Sequence, residues 1–305
     1  MPLEAKIAMT SSRIREWYEY WDGQVYVSFS GGNDSTVLLN LVRNLYPEVP
    51  AVFIDTGLEF PEIRKHVKTY NNVVIIKPEV SFEKVLAQYG YPVISKDVSR
   101  RIRYAQKGSN WAVTAMQGLE IDGTRREKGY KQAYVKYRYL LDAPFKVSDK
   151  CCEILKERPA RKYGRESGRK AYIGLLAEES RRRKAAYLKA GCNSFNGKLK
   201  SSKPMMFWRH QDVLEYIKSY NLPYAEIYGD IVNTPKGLTT TGAMRTGCMF
   251  CMFGTHLEKG ENRFQRMCRT HPKQYNYCIN SLGLGGVLDY IGVDYRRNSL
   301  FDDGV

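Results

Sequence analysis

VYVSFSGGNDSTVLLNLV, residues 25–42, sets a β-branched run against two glycines, a cluster of small polar residues and then an apolar run at helical spacing. The first part reads as a buried strand and STVLLNLVRNLY as a helix. A tight bend between them brings several N–H groups together at a helix N-terminus, where the helix dipole favours an anion. Gly31 and Gly32 lack a Cβ, so the backbone can turn sharply and lie close to a ligand. Candidate binding residues are therefore Ser28, Ser30, Gly31, Gly32, Asn33, Asp34 and Ser35. Asp34 is also the candidate catalytic carboxylate, placed to hold Mg²⁺ across phosphate oxygens. The Walker spacing G-x-x-x-x-G-K-(S/T) and the dinucleotide spacing G-x-G-x-x-G are both absent. The competing reading is an ordinary strand-to-helix turn with a Ser or Asp cap.

Outward from this turn, VPAVFIDTG, NNVVIIKPE and AYIGLLA read as further strands. FPEIRKHVKTY and SFEKVLAQYG, the latter opened by Ser81, read as helices between them. Near-continuous apolar strands alternating with helices predict an α/β fold, a doubly wound parallel sheet covered on both faces. Residues 1–200 are expected to form this nucleotide-binding domain, with a basic helical insertion at about 95–146. Residues 201–305 are expected to form a mostly helical module carrying a C-x-x-C, reached through the loop NGKLKSSKP.

The chain has 305 residues, 43% of them hydrophobic, enough for a full core. Lys and Arg number 48 against 32 Asp and Glu, a net charge of +16, which favours anionic partners such as nucleotides or nucleic acid. Arg100, Arg101, Arg103, Arg125 and Arg126 in the insertion are expected to share one basic face, a candidate surface for nucleic acid; a solvated basic face is the alternative. No apolar stretch approaches the ~20 residues of a membrane span. The first residues read as an amphipathic helix and not a signal peptide, so a cytoplasmic protein without membrane contact is expected.

Cys151 and Cys152 stand side by side in KCCEIL, and Cys248 and Cys251 form the C-x-x-C of RTGCMFCMFG. Thiolates in fours bind iron–sulfur clusters and zinc alike, and a lone C-x-x-C also serves as a dithiol. Adjacent cysteines face one centre only where the backbone bends, and Pro159 suits a broken helix. The two pairs are expected to come from different modules, so a shared centre would join them. Cys192, Cys268 and Cys278 read as small buried hydrophobes. Cys268, between basic neighbours in RFQRMCRTH, is the spare candidate for a reactive, catalytic thiol.

SGGNDS resembles the S-G-G-x-D-S loop of the ATP-pyrophosphatase, or adenine nucleotide α-hydrolase-like, superfamily. FIDTGLEFPE (53–62) resembles the D-T-G-x-x-F-P-E segment of the phosphoadenosine phosphosulfate (PAPS) reductase family. KPMMFWRHQDVLEYIKSYNLPYAEIYG (203–229) is similar to that family's P-x-x-x-W-x-x-x-D-V-x-x-Y-I stretch. CCEILKERP together with the C-x-x-C resembles the 4Fe–4S ligand pattern of adenylylsulfate (APS) reductases. The resemblance covers most of residues 25–278 apart from the insertion. It implies an adenine nucleotide or sulfonucleotide whose phosphates lie in the glycine loop, with Asp55, Thr56 and Gly57 at the carboxyl edge of the second strand. It also implies a 4Fe–4S cluster on Cys151, Cys152, Cys248 and Cys251, zinc being the alternative. Glu179, Arg181, Arg182 and Arg183 match the family's nucleotide-side segment.

Two departures stand out. Leu176 occupies a position where relatives often carry an arginine, and no cysteine follows Cys278, where the family's attacking thiol is expected. A partner would then supply the thiol or electrons. Three readings follow. The first is a PAPS reductase-family enzyme of sulfur metabolism. The second is an ATP-dependent sulfurtransferase acting on DNA or tRNA. The third is a non-catalytic nucleotide- or nucleic-acid-binding module with a structural cluster.

Overall fold

Strand β1 (Val25–Ser28) buries Val25, Tyr26 and Val27 inside a six-stranded sheet. The structure, a computed structural model, describes residues 1–125, 133–196 and 200–296. β2 (Ala51–Ile54) and β3 (Val73–Ile76) extend the sheet on one side of β1. β4 (Lys170–Ile173), β5 (Asn193–Ser194) and β6 (Ser201–Ser202) extend it on the other, in the order β3-β2-β1-β4-β6-β5. Every pairing is parallel except β5 with β6. The order reverses between β1 and β4, and a doubly wound sheet binds ligands at such a reversal, outside the carboxyl ends of its strands.

Helix α1 (Leu3–Tyr20) contributes Ile14 and Trp17 to the core, and α2 (Asn33–Leu45) contributes Val37, Leu38 and Val42. α3 (Pro61–Val67) adds Ile63 and Val67. The first two strands are buried over their first three residues, as their apolar runs predict. β3 differs: Val74 and Ile75 are exposed because it is the edge strand with a neighbour on one side only. α4 (Arg158–Glu166), α5 (Arg181–Ala190) and α6 (His210–Ser219) complete the major helices of this unit. The W-x-x-x-D stretch has a structural explanation. The Trp208 indole donates to Thr10 Oγ1 at 2.8 Å, while Asp212 accepts from the Arg209 N–H at 2.5 Å and pairs with the buried Lys6.

The chain divides into two compact units, Met1–Pro78 with Arg158–Gly247 and Glu79–Glu157 with Cys248–Val305. The sequence pattern suggests one boundary near residue 200. The structure instead returns β6 and α6 to the sheet, and sets the insertion in one unit with the C-terminal segment. This second unit has its own buried side chains, among them Ile102, Met116, Leu140, Met252 and Phe264. Its two short strands, Val93–Ile94 and Met252–Phe253, pair in parallel.

Two expectations change here. Cys151, Cys152, Cys248 and Cys251 all belong to the second unit, so they do not link the two. The insertion arginines do not form an open basic face either. Arg100 and Arg101 lie 2.5 and 3.5 Å from Asp97, and Arg101 covers the Tyr134 ring at 4.0 Å. Arg103 is largely buried against Asp149 at 2.9 Å. Arg125 is exposed, and Arg126 lies outside the described residues. Among the described residues no helix is long and apolar enough to cross a membrane.

Candidate functional site

The turn after β1 is held by its own serines. Ser35 Oγ donates to the Gly32 carbonyl at 2.9 Å, accepts from the Ser30 N–H at 3.2 Å and meets Ser30 Oγ at 3.0 Å. Gly31 has φ +73°, and a Cβ there would fall 2.7 Å from Val67 Cγ2 and 2.9 Å from Ile63 Cγ2. Only glycine therefore lets α3 pack against the turn. At Gly32 the backbone is ordinary, but a Cβ would stand 3.1 Å from the Tyr228 hydroxyl. That hydroxyl accepts from the Asn33 N–H at 3.3 Å and bonds Thr246 Oγ1 at 2.6 Å.

A cavity of about 120 Å³ opens at the β1/β4 reversal. Ser30, Gly32, Asn33, Asp34 and Ser35 line it from the turn after β1, and Gly174, Leu176 and Glu179 from the segment after β4. His210, Tyr228, Met244, Arg245 and Thr246 close it from later in the chain. Asn33 is 4% exposed, and neither its side-chain oxygen nor its nitrogen has a partner. An amide buried this way costs about 1–3 kcal/mol. Burial lifts the Asp34 carboxyl to about 6, with Arg245 and Arg183 pulling it back only partly. Glu179 pairs with Arg183 and lies 3.3 Å from Arg245. The site thus combines a helix N-terminus, an unbonded amide, two guanidinium groups and a carboxyl close to titration at neutral pH. These groups suit an anion and a cation that bridges to it.

The other predicted residues lie elsewhere. Ser28 ends β1, outside the lining. Asp55 is held by Arg64 at 2.9 Å and accepts from the Gly57 N–H at 3.2 Å, while the Thr56 hydroxyl donates to Glu59 at 2.8 Å. None of these three lines the cavity. Arg181 and Arg182 are exposed and off the lining; Arg183 alone of the run turns to Glu179. Sequence reading misses His210, Tyr228, Arg245 and Thr246. Arg245 has a signal: it precedes the C-x-x-C by three residues, in a stretch where the cysteines draw the eye.

In the second unit, the helical turn Lys150–Cys152 passes into a π-helical turn, Glu153–Glu157. The expected break at Pro159 is replaced by this widened turn ahead of it; π-turns recur at functional sites. Cys151 and Cys152 sulfurs are 3.9 Å apart. The hydrogen bond from Cys151 and the nearby Lys96 and Lys156 draw Cys152 down towards the thiolate. The same bond, then burial and the charges of Cys251 and Cys248, push Cys151 up. Burial also pushes Cys251 up, and Arg263 donates to its carbonyl at 3.0 Å.

All four sulfurs therefore share one electrostatic neighbourhood. Among the described residues, no three His, Cys, Asp or Glu side chains are gathered to hold a single metal ion. Four soft donors beside two lysines match in kind what an iron–sulfur cluster requires. Cys268 is half-buried on the helix Arg263–Thr270, and its neighbours Arg266 and Arg269 lie 3.5 and 3.0 Å from Glu261. Cys278 is fully buried and pushed up to about 12 by that burial, as expected of a small hydrophobe.

A sequence model of the phosphoadenosine phosphosulfate reductase domain matches residues 24–107 and 84–252. An uncharacterized protein of Methanocaldococcus jannaschii is 22% identical over 279 residues, covering 89% of this chain and 51% of its own length. A second from the same organism is 27% identical over 88% of this chain and 43% of its own, so the chain spans about half the length of these relatives. The adenosine 5'-phosphosulfate reductase of Geobacillus thermodenitrificans is 27% identical over 216 residues, 68% of this chain and 67% of its own. Among solved structures, a PAPS reductase from Candida auris in a phosphate complex aligns with 73% of this chain and 87% of its own at TM-score 0.39 and 16% identity.

Proposed function

Because the chain belongs to the phosphoadenosine phosphosulfate reductase domain family, we propose that it is an enzyme of sulfur chemistry that binds an adenine nucleotide or sulfonucleotide in the cavity between β1 and β4. The observation that carries this reading is Asn33, which lines that cavity and whose buried amide has no partner. Phosphate oxygens would accept from this amide and from N–H groups at the start of α2. Arg245 and Arg183 would offset the phosphate charge. Asp34, once ionised, would hold Mg²⁺ against the same oxygens.

Cys151, Cys152, Cys248 and Cys251 would hold a 4Fe–4S cluster. When bound, it supplies one-electron chemistry. Lys96 and Lys156 lower the cost of charge at Cys152.

Leu176 favours a second reading. It is 1% exposed and lines the cavity where relatives often carry a sulfate-binding arginine. An apolar side chain there suits ATP better than a sulfonucleotide, with activation of an acceptor and release of pyrophosphate.

Anaerobic purification with iron and sulfide analysis, followed by calorimetric titration with ATP, APS and PAPS, tests both readings. At least one nucleotide should bind, and Asn33→Ala should weaken it about tenfold, the worth of one hydrogen bond to a charged group. Unchanged affinity in that variant moves the site elsewhere. Colourless protein with stoichiometric zinc removes the cluster.

A further inference from the structure

Helix α5, RRRKAAYLKA, is the element of the first unit that packing explains least. None of its ten residues is buried; Arg183 and Tyr187 are half-buried and the rest exposed. Burial of one face, which stabilises most protein helices, is missing. Its charges oppose it as well. Arg181, Arg182 and Arg183 fill the first turn, where the helix dipole favours anions. Arg181 and Lys184 stand three residues apart, a like-charge spacing that destabilises a helix. The helix contains no Asp or Glu.

Partners do not compensate. Arg183 pairs with Glu179 at the cavity, but among the described residues no acid pairs with Arg181, Arg182, Lys184 or Lys189. The insertion shows the opposite arrangement, with Arg100, Arg101 and Arg103 answered by Asp97 and Asp149. Four unanswered cations therefore lie within nine residues on the helix that follows β4, close in sequence to the cavity residue Glu179.

We propose that the exposed face of α5 is a docking surface for a nucleic-acid strand. Arg181, Arg182, Lys184 and Lys189 would contact its phosphodiester backbone while Arg183 remains with the cavity. Ten helical residues span about 15 Å. That length runs past about four phosphates of one strand at 3.4 Å each, one for each unanswered cation. A bound backbone would relieve both the repulsion within the helix and the cations at its N-terminus. The proposal rests on the nucleotide reading of the cavity, since the docked strand would be the acceptor acted on there.

The test uses the full chain and a variant carrying Arg181→Gln, Arg182→Gln, Lys184→Gln and Lys189→Gln. Fluorescence anisotropy follows binding to a labelled RNA hairpin and to a DNA duplex of the same sequence between roughly 50 and 200 mM salt. Wild type should bind at least one, and the variant should bind it at least about tenfold more weakly. The log–log salt slope should become shallower by about 3, at roughly 0.7–0.9 for each phosphate that the variant no longer neutralises. Calorimetric affinity for ATP should hold, and the unfolding midpoint should hold or rise, since the substitutions also remove the repulsion within the helix. Equal slopes in the two proteins overturn the proposal. So does the absence of nucleic-acid binding, or preference for polyglutamate or acidic-lipid vesicles, and in each case retained ATP binding leaves the nucleotide reading standing. Retained nucleic-acid binding without any binding of ATP, APS or PAPS removes the nucleotide reading instead.

Discussion

Asn33 and Asp34, adjacent in sequence, each carry a cost that a ligand would relieve. Asn33 buries an unbonded amide, and burial lifts the Asp34 carboxyl to about 6. Ionisation of Asp34 is thus easier in the unfolded chain than in the fold. Its contribution to stability is fully present below the ordinary carboxylate range and is lost as pH rises from about 4 through 6. Asp34→Asn should stabilise the ligand-free protein near neutral pH by roughly 1–2 kcal/mol, after allowance for partial exposure. The gain should vanish below about pH 4. Thermal unfolding across that range checks it; an equal gain at both ends would mean that burial of charge is not the cause. Magnesium-dependent nucleotide binding should strengthen over the same interval, because the cation needs the ionised form. Arg245→Ala should weaken nucleotide binding about tenfold, as read by calorimetry, with little change in stability since this side chain is mostly exposed. The turn residues were legible because strand, glycines and polar cluster are contiguous. Tyr228 and Thr246 were not, since Tyr228 meets Asn33, and Thr246 meets Tyr228, only through the return of a distant segment.

At the level of elements, the family stretch around Trp208 works as a clamp. Trp208 Nε1 reaches Thr10 at 2.8 Å, and Asp212 ties Lys6 of α1 to the first turn of α6. Trp208→Phe keeps most of the ring volume and removes the donor. It should cost about 1–3 kcal/mol in urea unfolding and leave nucleotide affinity within twofold. A large loss of affinity at unchanged stability would make the motif part of the binding site. Gly31→Ala should be worse, because it combines φ +73° with a 2.7 Å approach to Val67; a loss of more than about 2 kcal/mol is expected. Strands β1 and β2 were readable because burial on both faces writes a continuous apolar run. β3 carries the same run at an exposed edge, and periodicity cannot tell the two situations apart.

For the whole molecule, the lesson concerns which segments share a core. Local pattern located the strands but not the assignment of residues 201–247 to the sheet unit, which depends on β6 pairing with β4. Charge is misread for a related reason: the insertion's arginines look like a surface until Asp97 and Asp149 come beside them. All four paired cysteines lie in the second unit and the proposed nucleotide cavity in the first. Cys248→Ser should therefore abolish the brown colour that the proposed cluster would give anaerobic protein, and speed proteolysis of the second unit. Nucleotide affinity should change little, and a comparable loss there would show that the two units are coupled.

Each unit takes one stretch of chain from before residue 158 and one from residue 158 onward, so neither is complete when its first stretch has been translated. Cys151 and Cys152 leave the ribosome on the order of a hundred residues ahead of Cys248 and Cys251. At elongation rates of about 5–20 residues per second, that leaves roughly 5–20 s in which two thiols of the proposed cluster site are made and the other two are not. Oxidation or capture of the first pair during this interval would divert the nascent chain. Slowing elongation downstream of codon 152 should lower the yield of metal-loaded protein more than the yield of soluble protein.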